Sequence, residues 1–343
     1  MSEPKNHNLT DREAVILTAV IERYIDKGMP VSSGFIKDNY QLNISPATIR
    51  NEMASLEERG FLTHLHTSGG RVPTDVGYRF YVSRLNSVHT MDIPVGQDIR
   101  KELLTISNNV DELLGATAEM LAKISSMFGV VTISGYQQST LTDIELVPIQ
   151  GDRIMFVLAL DTGLVKSIVL NLDIHINSKR IQNITQLLKD RLIGLTLKEI
   201  QSTMNHRLND AEMYDHELVQ ILINERYSYF TIDSNNRIYT SSTNMLLYQP
   251  EFQDLTSYQR VLPVLEKPFL NHHFKENFHL NSNNTLIGAE NGDIRLEDCA
   301  IITTQFDSGM MQGRIGVIGP KRVPYFSLKG LLEKFTEIVQ SAI

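Results

Sequence analysis

Apolar residues near the start of the chain recur three and four apart. Leu17, Val20, Ile21 and Tyr24 form one stripe of a helix predicted over residues 11–26. Thr10 and Glu13 have capping-box spacing at its start, so hydroxyl and carboxylate can each satisfy a backbone N–H of the first turn. Gly28 and Pro30 end it. Ser32 or Ser33 caps a short second helix over 34–40, and Gln41-Leu42-Asn43 makes a turn. Ser45 then Pro46 opens a third helix, because proline suits the first helical position, where no N–H is needed. Ile49, Met53 and Leu56 share its inner face, and Gly60 closes it. The chain then reads as extended over 61–66 and turns through Thr67-Ser68-Gly69-Gly70, whose glycines accept positive φ. It returns extended at Arg71-Val72-Pro73, and Thr74 caps a fourth helix through Leu85. Three helices followed by a glycine-tipped hairpin is the element order of a winged helix-turn-helix.

Residues 86–96 read as a linker containing Asn86, Ser87, Pro94 and Gly96. A single long amphipathic helix is expected next. Ile99, Leu103, Ile106, Val110, Leu113, Thr117, Met120, Ile124 and Met127 follow a heptad stripe with one polar member. Leu104, Leu114, Leu121 and Phe128 widen the stripe beyond a two-helix seam, which favours a core helix over a coiled coil. Strands are expected at 130–134, 144–150, 153–160 and 164–170, with Gly151-Asp152 and Asp161-Thr162-Gly163 as hairpin turns. Helical patterning fills 176–230, strands return at 285–289, 300–306 and 313–318, and a last amphipathic helix spans 327–341. Strands, a helical block and strands again describe a multidomain α+β chain whose second domain carries an insertion.

The 343 residues fit two or three domains. With 42% apolar and 21% charged residues, the composition excludes a disordered or collagen-like chain. A lone cysteine, Cys299, cannot form an internal disulfide and suits a reducing cytoplasm. The longest apolar run, 154–160, falls far short of the about 20 residues of a membrane helix, and the polar N-terminus lacks a signal-peptide core. The net charge of −8 argues against nucleic acid until its distribution is considered. Residues 1–90 hold ten basic and ten acidic side chains, so the whole deficit lies beyond them. A neutral module on an acidic body is compatible with DNA binding.

With Ile49, Met53 and Leu56 inward, Ala47, Asn51, Ala54, Ser55 and Glu58 point outward, and Thr48 and Arg50 flank them. Arg50 can bond guanine O6 and N7 as a fork, and Asn51 can pair with adenine N6 and N7. The small residues Ala47 and Ala54 allow close approach, and backbone N–H groups at Ser45 suit a phosphate. Arg71 and the imidazoles of His64 and His66 lie on the hairpin, and Arg79 and Arg84 on the next helix add candidate phosphate contacts. Helical hairpins of this form also occur in proteins that never touch DNA, so the pattern alone leaves a protein-interaction module open. Gly313, Gly316 and Gly319 match no phosphate-binding fingerprint and read as a strand ending in a Gly-Pro turn. His272, His273 and His279 read as surface histidines, Cys299 as a small core residue and Glu57-Glu58 as a solvated face. No nucleophile elbow or HExxH motif suggests an enzyme.

The stretch SPATIRNEMASLEERGFLTHLHTSGGRVPTDVGYRFYVSRL, from Ser45 to Leu85, resembles the N-terminal signature of the bacterial heat-inducible transcription repressor HrcA family. TNMLLYQPEF, IGAEN and GRIGVIGPKRVPY resemble its body. Leu65 stands where the family often has proline, Ser241-Ser242 replaces a glycine pair, and Val323-Pro324-Tyr325 replaces Met-Asp-Tyr. The resemblance implies a winged helix over 1–86, a GAF-like domain over 97–175 and 245–343 with a long linking helix, and an inserted dimerising domain over 176–244. It implies a cytoplasmic repressor, without enzymatic activity, of chaperone and chaperonin operons. That repressor binds double-stranded DNA at an inverted-repeat operator as a homodimer, depends on the chaperonin, and takes no cofactor, metal or membrane. The candidate DNA-binding set is Ser45, Ala47, Thr48, Arg50, Asn51 and Ser55 on the third helix, His64, His66, Ser68, Gly69, Gly70 and Arg71 on the hairpin, and Arg79 behind it. A ligand-sensing regulator is the second reading, to be tested by ligand-induced thermal stabilisation.

Overall fold

The computed structural model describes residues 9–40, 44–64, 70–85, 97–106, 109–134, 138–149, 153–171, 178–209, 216–231, 237–278, 284–308 and 311–343. The expected turn at 41–43, the hairpin tip at 65–69, the linker at 86–96 and His279 lie outside them.

The N-terminal unit contains α1 (Asp11–Lys27), α2 (Ser33–Asn39), α3 (Pro46–Glu58), β1 (Leu62–Thr63), β2 (Val72–Pro73) and α4 (Asp75–Leu85). Its starts follow the predicted caps. Thr10 and Glu13 form the capping box, Ser32 and Ser45 accept from the third N–H of α2 and α3, and Thr74 Oγ1 accepts from Gly77 N at 3.2 Å. Ile16, Leu17, Val20, Ile21, Ile36, Ile49 and Leu56 are fully buried together, each worth about 1.5–3 kcal/mol relative to exposure. β1 and β2 pair antiparallel, Leu62 opposite Pro73, and Val31 bridges to Arg71 beside them.

The expected long helix is two helices, α5 (Gln97–Thr105) and α6 (Val110–Ser125). Asn109 caps α6 by accepting from Glu112 N at 3.2 Å. An asparagine side chain competes well for free N–H groups, so the chain restarts a helix there although the apolar stripe runs through. Thr117, the polar member of the stripe, is buried and donates to Leu113 O at 2.8 Å. Ser126, at φ 55°, stops α6 before Met127, the expected end.

Two antiparallel sheets follow. β3 (Phe128–Ser134), β7 (Ile238–Thr240), β8 (Thr285–Ile287), β9 (Cys299–Asp307) and β10 (Gln312–Pro320) form one, in the order β7-β3-β10-β9-β8. α6 and α13 (Tyr325–Ala342) cover one face. α11 (Leu255–Val261), α12 (Lys267–Phe278) and short 3-10 turns enclose a second core that contains Phe128, Val130, Phe252, Cys299 and Ile301. Successive strand residues therefore enter different cores, as period-2 alternation requires. A Cβ on Gly129 would sit 2.1 Å from Ala118 O, so glycine is what lets α6 lie this close to β3.

β4 (Leu141–Ile149), β5 (Arg153–Leu160) and β6 (Val165–Asn171) form a separate three-stranded meander. α7 (Ser178–Leu192) packs on β4. α8 (Leu197–Arg207), α9 (His216–Asn224) and α10 (Arg226–Tyr229) follow, and Phe156 meets Phe230 and Tyr229 edge to face. β4, β5 and β6, within the expected 97–175, thus form a sheet of their own, and β7, within the expected insertion 176–244, belongs to the five-stranded sheet. The chain is α+β. Among the described residues no helix is long and apolar enough to cross a membrane.

Candidate nucleic-acid interface

α3 presents the predicted ridge. Ile49, Met53 and Leu56 anchor it in the core, while Ser45, Ala47, Arg50 and Asn51 are exposed and Thr48 and Ala54 half-exposed. Ser45 Oγ accepts from Thr48 N at 3.1 Å and lies 2.9 Å from Thr48 Oγ1, so both hydroxyls shape the helix start. Among the described residues no carboxylate pairs with Arg50.

Ser55, half-exposed on the flank of the same ridge, is engaged by α1. Its hydroxyl donates to Glu13 Oε1 at 3.3 Å, and Arg59 Nη1 donates to the same oxygen at 2.8 Å. Glu13 Oε2 accepts from Thr10 N at 2.8 Å. The bond from the Thr10 backbone, then Arg59 and the Thr10 hydroxyl, hold the buried Glu13 carboxyl below the usual range against the cost of burial. The capping glutamate of α1 thus also fixes the far end of α3, a second role that local spacing cannot reveal.

Glu57 is not a solvated side chain. It pairs with Arg71 Nε at 2.7 Å and with His64 Nδ1, tying both ends of the hairpin to α3. The bond from His64, followed by the charge of Arg71, pulls the Glu57 carboxyl down. Glu52 pairs with Arg12 at 3.5 Å. These partners offset acidic charge that would repel phosphates from α3.

The hairpin candidates divide. His64 is exposed, Arg71 is half-buried, and His66, Ser68 and Gly69 lie outside the described residues. Gly70 is buried, and a Cβ there would sit 2.8 Å from the Pro30 carbonyl carbon, so it serves close packing rather than a free surface. Arg79 is turned away from the ridge: its Nε donates to Glu290 Oε1 at 2.7 Å and its Nη2 to Thr285 O at 2.7 Å.

Other ties join the N-terminal unit to the five-stranded sheet and its helices. Asp75 pairs with Lys321 Nζ at 2.7 Å and accepts from Ala289 N at 3.1 Å. Arg322 pairs with Glu251 at 2.7 Å and donates to Ile25 O at 2.9 Å. Tyr78 and Tyr81 meet the ring of Tyr325. Lys321 and Arg322, which follow the glycine strand, therefore serve as a bridge between units. Gly313, Gly316 and Gly319 lie within β10 and let neighbours approach closely, Thr132 O to 2.2 Å of a Cβ on Gly313. His273 is buried and stacked on Phe269, contrary to the surface reading. Cys299 is buried, its thiol pushed up to about 12 mainly by burial.

A family model described as "HrcA protein C terminal domain" matches residues 111–327. The chain belongs to the HrcA family. Proteins named "Heat-inducible transcription repressor HrcA" are similar along nearly its whole length. That of Chlorobium chlorochromatii is 34% identical over 323 residues, covering 92% of each chain. That of Clostridium acetobutylicum is 30% identical over 335 residues, covering 96% of each. A solved structure, "Crystal structure of a hypothetical protein at 2.2 A resolution", is similar with a TM-score of 0.62 and 22% identity over 98% of this chain and 100% of that one. That likeness is one of fold. Membership in the HrcA family makes the chain a negative regulator of heat-shock transcription.

Proposed function

We propose that this repressor occupies an inverted-repeat operator of chaperone and chaperonin operons as a homodimer, with the N-terminal half of α3 in the major groove. The carrying observation is the ridge itself: Ala47, Arg50 and Asn51 exposed on a helix whose opposite face is fully buried. Arg50 reads guanine, Asn51 reads adenine, and Ala47 leaves room for the groove edge. His64, His66, Ser68, Gly69 and Arg71 approach the backbone as a wing.

In this reading residues 1–86 are a winged helix, the five-stranded sheet with α6, α11, α12 and α13 is the GAF-like domain, and residues 138–231 are the inserted dimerising unit. The meander supports the last assignment. Val147, Val165 and Val169 are 39, 60 and 52% exposed, and Val147, Met155 and Val169 are in register across it. An apolar sheet face of this kind suits a second copy. Two half-sites related by a twofold axis require a twofold protein. Dependence on the chaperonin and action in the cytoplasm follow from the family resemblance.

The test is a mobility shift on an inverted repeat at stated salt. Arg50→Ala and Asn51→Ala should each cost about 1–3 kcal/mol of discrimination between operator and unrelated duplex. Unchanged discrimination in both variants would overturn the assignment of α3.

A further inference from the structure

β1 and β2 are two residues long each, and Pro73, opposite Leu62, brings no N–H to their ladder. A ladder this short holds its direction poorly by itself. Its base is held from two sides. Arg71 and Val31 exchange backbone N–H···O bonds, both at 2.9 Å, which fixes the returning strand to the loop before α2. Glu57, in the last turn of α3, meets both sides of the hairpin with one carboxylate: Oε2 lies 2.7 Å from Arg71 Nε, and Oε1 pairs with His64 Nδ1. Glu57 and Arg71 each keep only 23% of their side-chain surface, so their pair is screened less than an exposed one. Glu13 fixes the end of α3 to α1 through Ser55 and Arg59. Two carboxylates therefore join α1, α3 and the hairpin base in series.

We propose that Glu57 is a positioning residue for operator binding: it sets the hairpin against α3 so that wing and recognition helix meet the duplex as one preformed surface. In this role, which rests on α3 being the recognition helix, Glu57 touches neither base nor phosphate. A hairpin free to swing would have to be ordered on binding, and that ordering costs affinity. Non-specific binding is carried by attraction to phosphates and tolerates a loose wing. A carboxylate on a DNA-facing unit by itself lowers affinity through repulsion. Geometry and charge thus predict opposite signs for the removal of Glu57.

The full-length protein should be titrated against operator and unrelated duplex by mobility shift at one stated salt, as the native chain, Glu57→Ala, Glu57→Gln, Glu57→Asp and Arg50→Ala. Melting curves should accompany each, so that affinities are compared where every variant is folded. Glu57→Ala should weaken operator binding about tenfold through the cost of ordering the wing. It should leave binding to the unrelated duplex within about twofold. Glu57→Gln keeps the reach, with an acceptor for Arg71 and a donor for His64, and should bind the operator more tightly than Glu57→Ala. Glu57→Asp keeps the charge but is one methylene shorter, and should lose operator affinity; it carries the test if Glu57→Ala does not stay folded. Operator binding that is unchanged or tighter in Glu57→Ala and Glu57→Asp overturns the positioning role, as does an equal loss on both duplexes. A loss in Glu57→Ala beside an unchanged Arg50→Ala would instead count against α3 as the recognition helix. A native chain that does not distinguish the operator from the unrelated duplex overturns both.

Discussion

Arg79 of α4 and Glu290, which lie 211 residues apart, form a two-pronged ion pair, with Nε donating to Oε1 at 2.7 Å. The guanidinium donates further to Thr285 O. A planar fork satisfied on both prongs has little left for a phosphate. Each phosphate contact contributes about one to the salt slope of DNA binding. Arg79→Ala should therefore leave the slope of operator affinity against salt unchanged. A slope shallower by about one would show that Arg79 leaves Glu290 to touch DNA.

Glu13 joins the start of α1 to the end of α3, and its carboxyl is held low. A group whose folded value lies below its ordinary 4.5 stabilises the fold above that value, and the contribution is lost as pH falls through the folded value. Denaturant midpoints from pH 7 down to pH 3 should thus fall more steeply in the native protein than in Glu13→Gln. At pH 7 the substitution should cost about 1–3 kcal/mol. Parallel acid limbs in the two proteins would mean that Glu13 carries no such linkage.

Gly77 lets α4 lie against the end of β1. A Cβ there would sit 2.3 Å from Phe61 O, a backbone atom that cannot turn aside. Gly77→Ala should destabilise the protein by about 1–3 kcal/mol in thermal or denaturant unfolding, although alanine is the better helix former. A neutral or stabilising result would mean that α4 slides at little cost.

The meander face offers a direct check on the dimer. Val169→Asp places a charge on an exposed apolar position in register with Met155. Surface substitutions of this kind change monomer stability by about 0.5 kcal/mol or less, so the variant should fold but elute as a monomer by gel filtration. Retention of the dimer at micromolar concentration would move the interface elsewhere.

The helices of the N-terminal unit were legible because their signals are local. Thr10, Ser32, Ser45 and Thr74 cap the helices they precede, and Ile49, Met53 and Leu56 set the outer face of α3 through periodicity alone. The strands were legible for the same reason: alternation over a few residues is enough to place β5 within 153–160. The apolar stripe from Ile99 to Met127 does not reveal the start of a second helix, because it takes no account of the cap at Asn109.

Local patterning was enough for the helices of the N-terminal unit, for most of the strands and for the ridge of α3 that stays outside the core, since caps, glycines and apolar periods act over at most a few turns of chain; it left β7, α11 and α12 unread. The packed fold sets the partners of the charged side chains. Glu57 looked solvated but holds His64 and Arg71, Arg79 looked available but is held by Glu290, and Ser55 looked outward but is bonded to Glu13. It also decided that β4, β5 and β6 leave the larger sheet. Ion pairing and strand pairing depend on distances between segments far apart in the chain, and no local pattern encodes those distances.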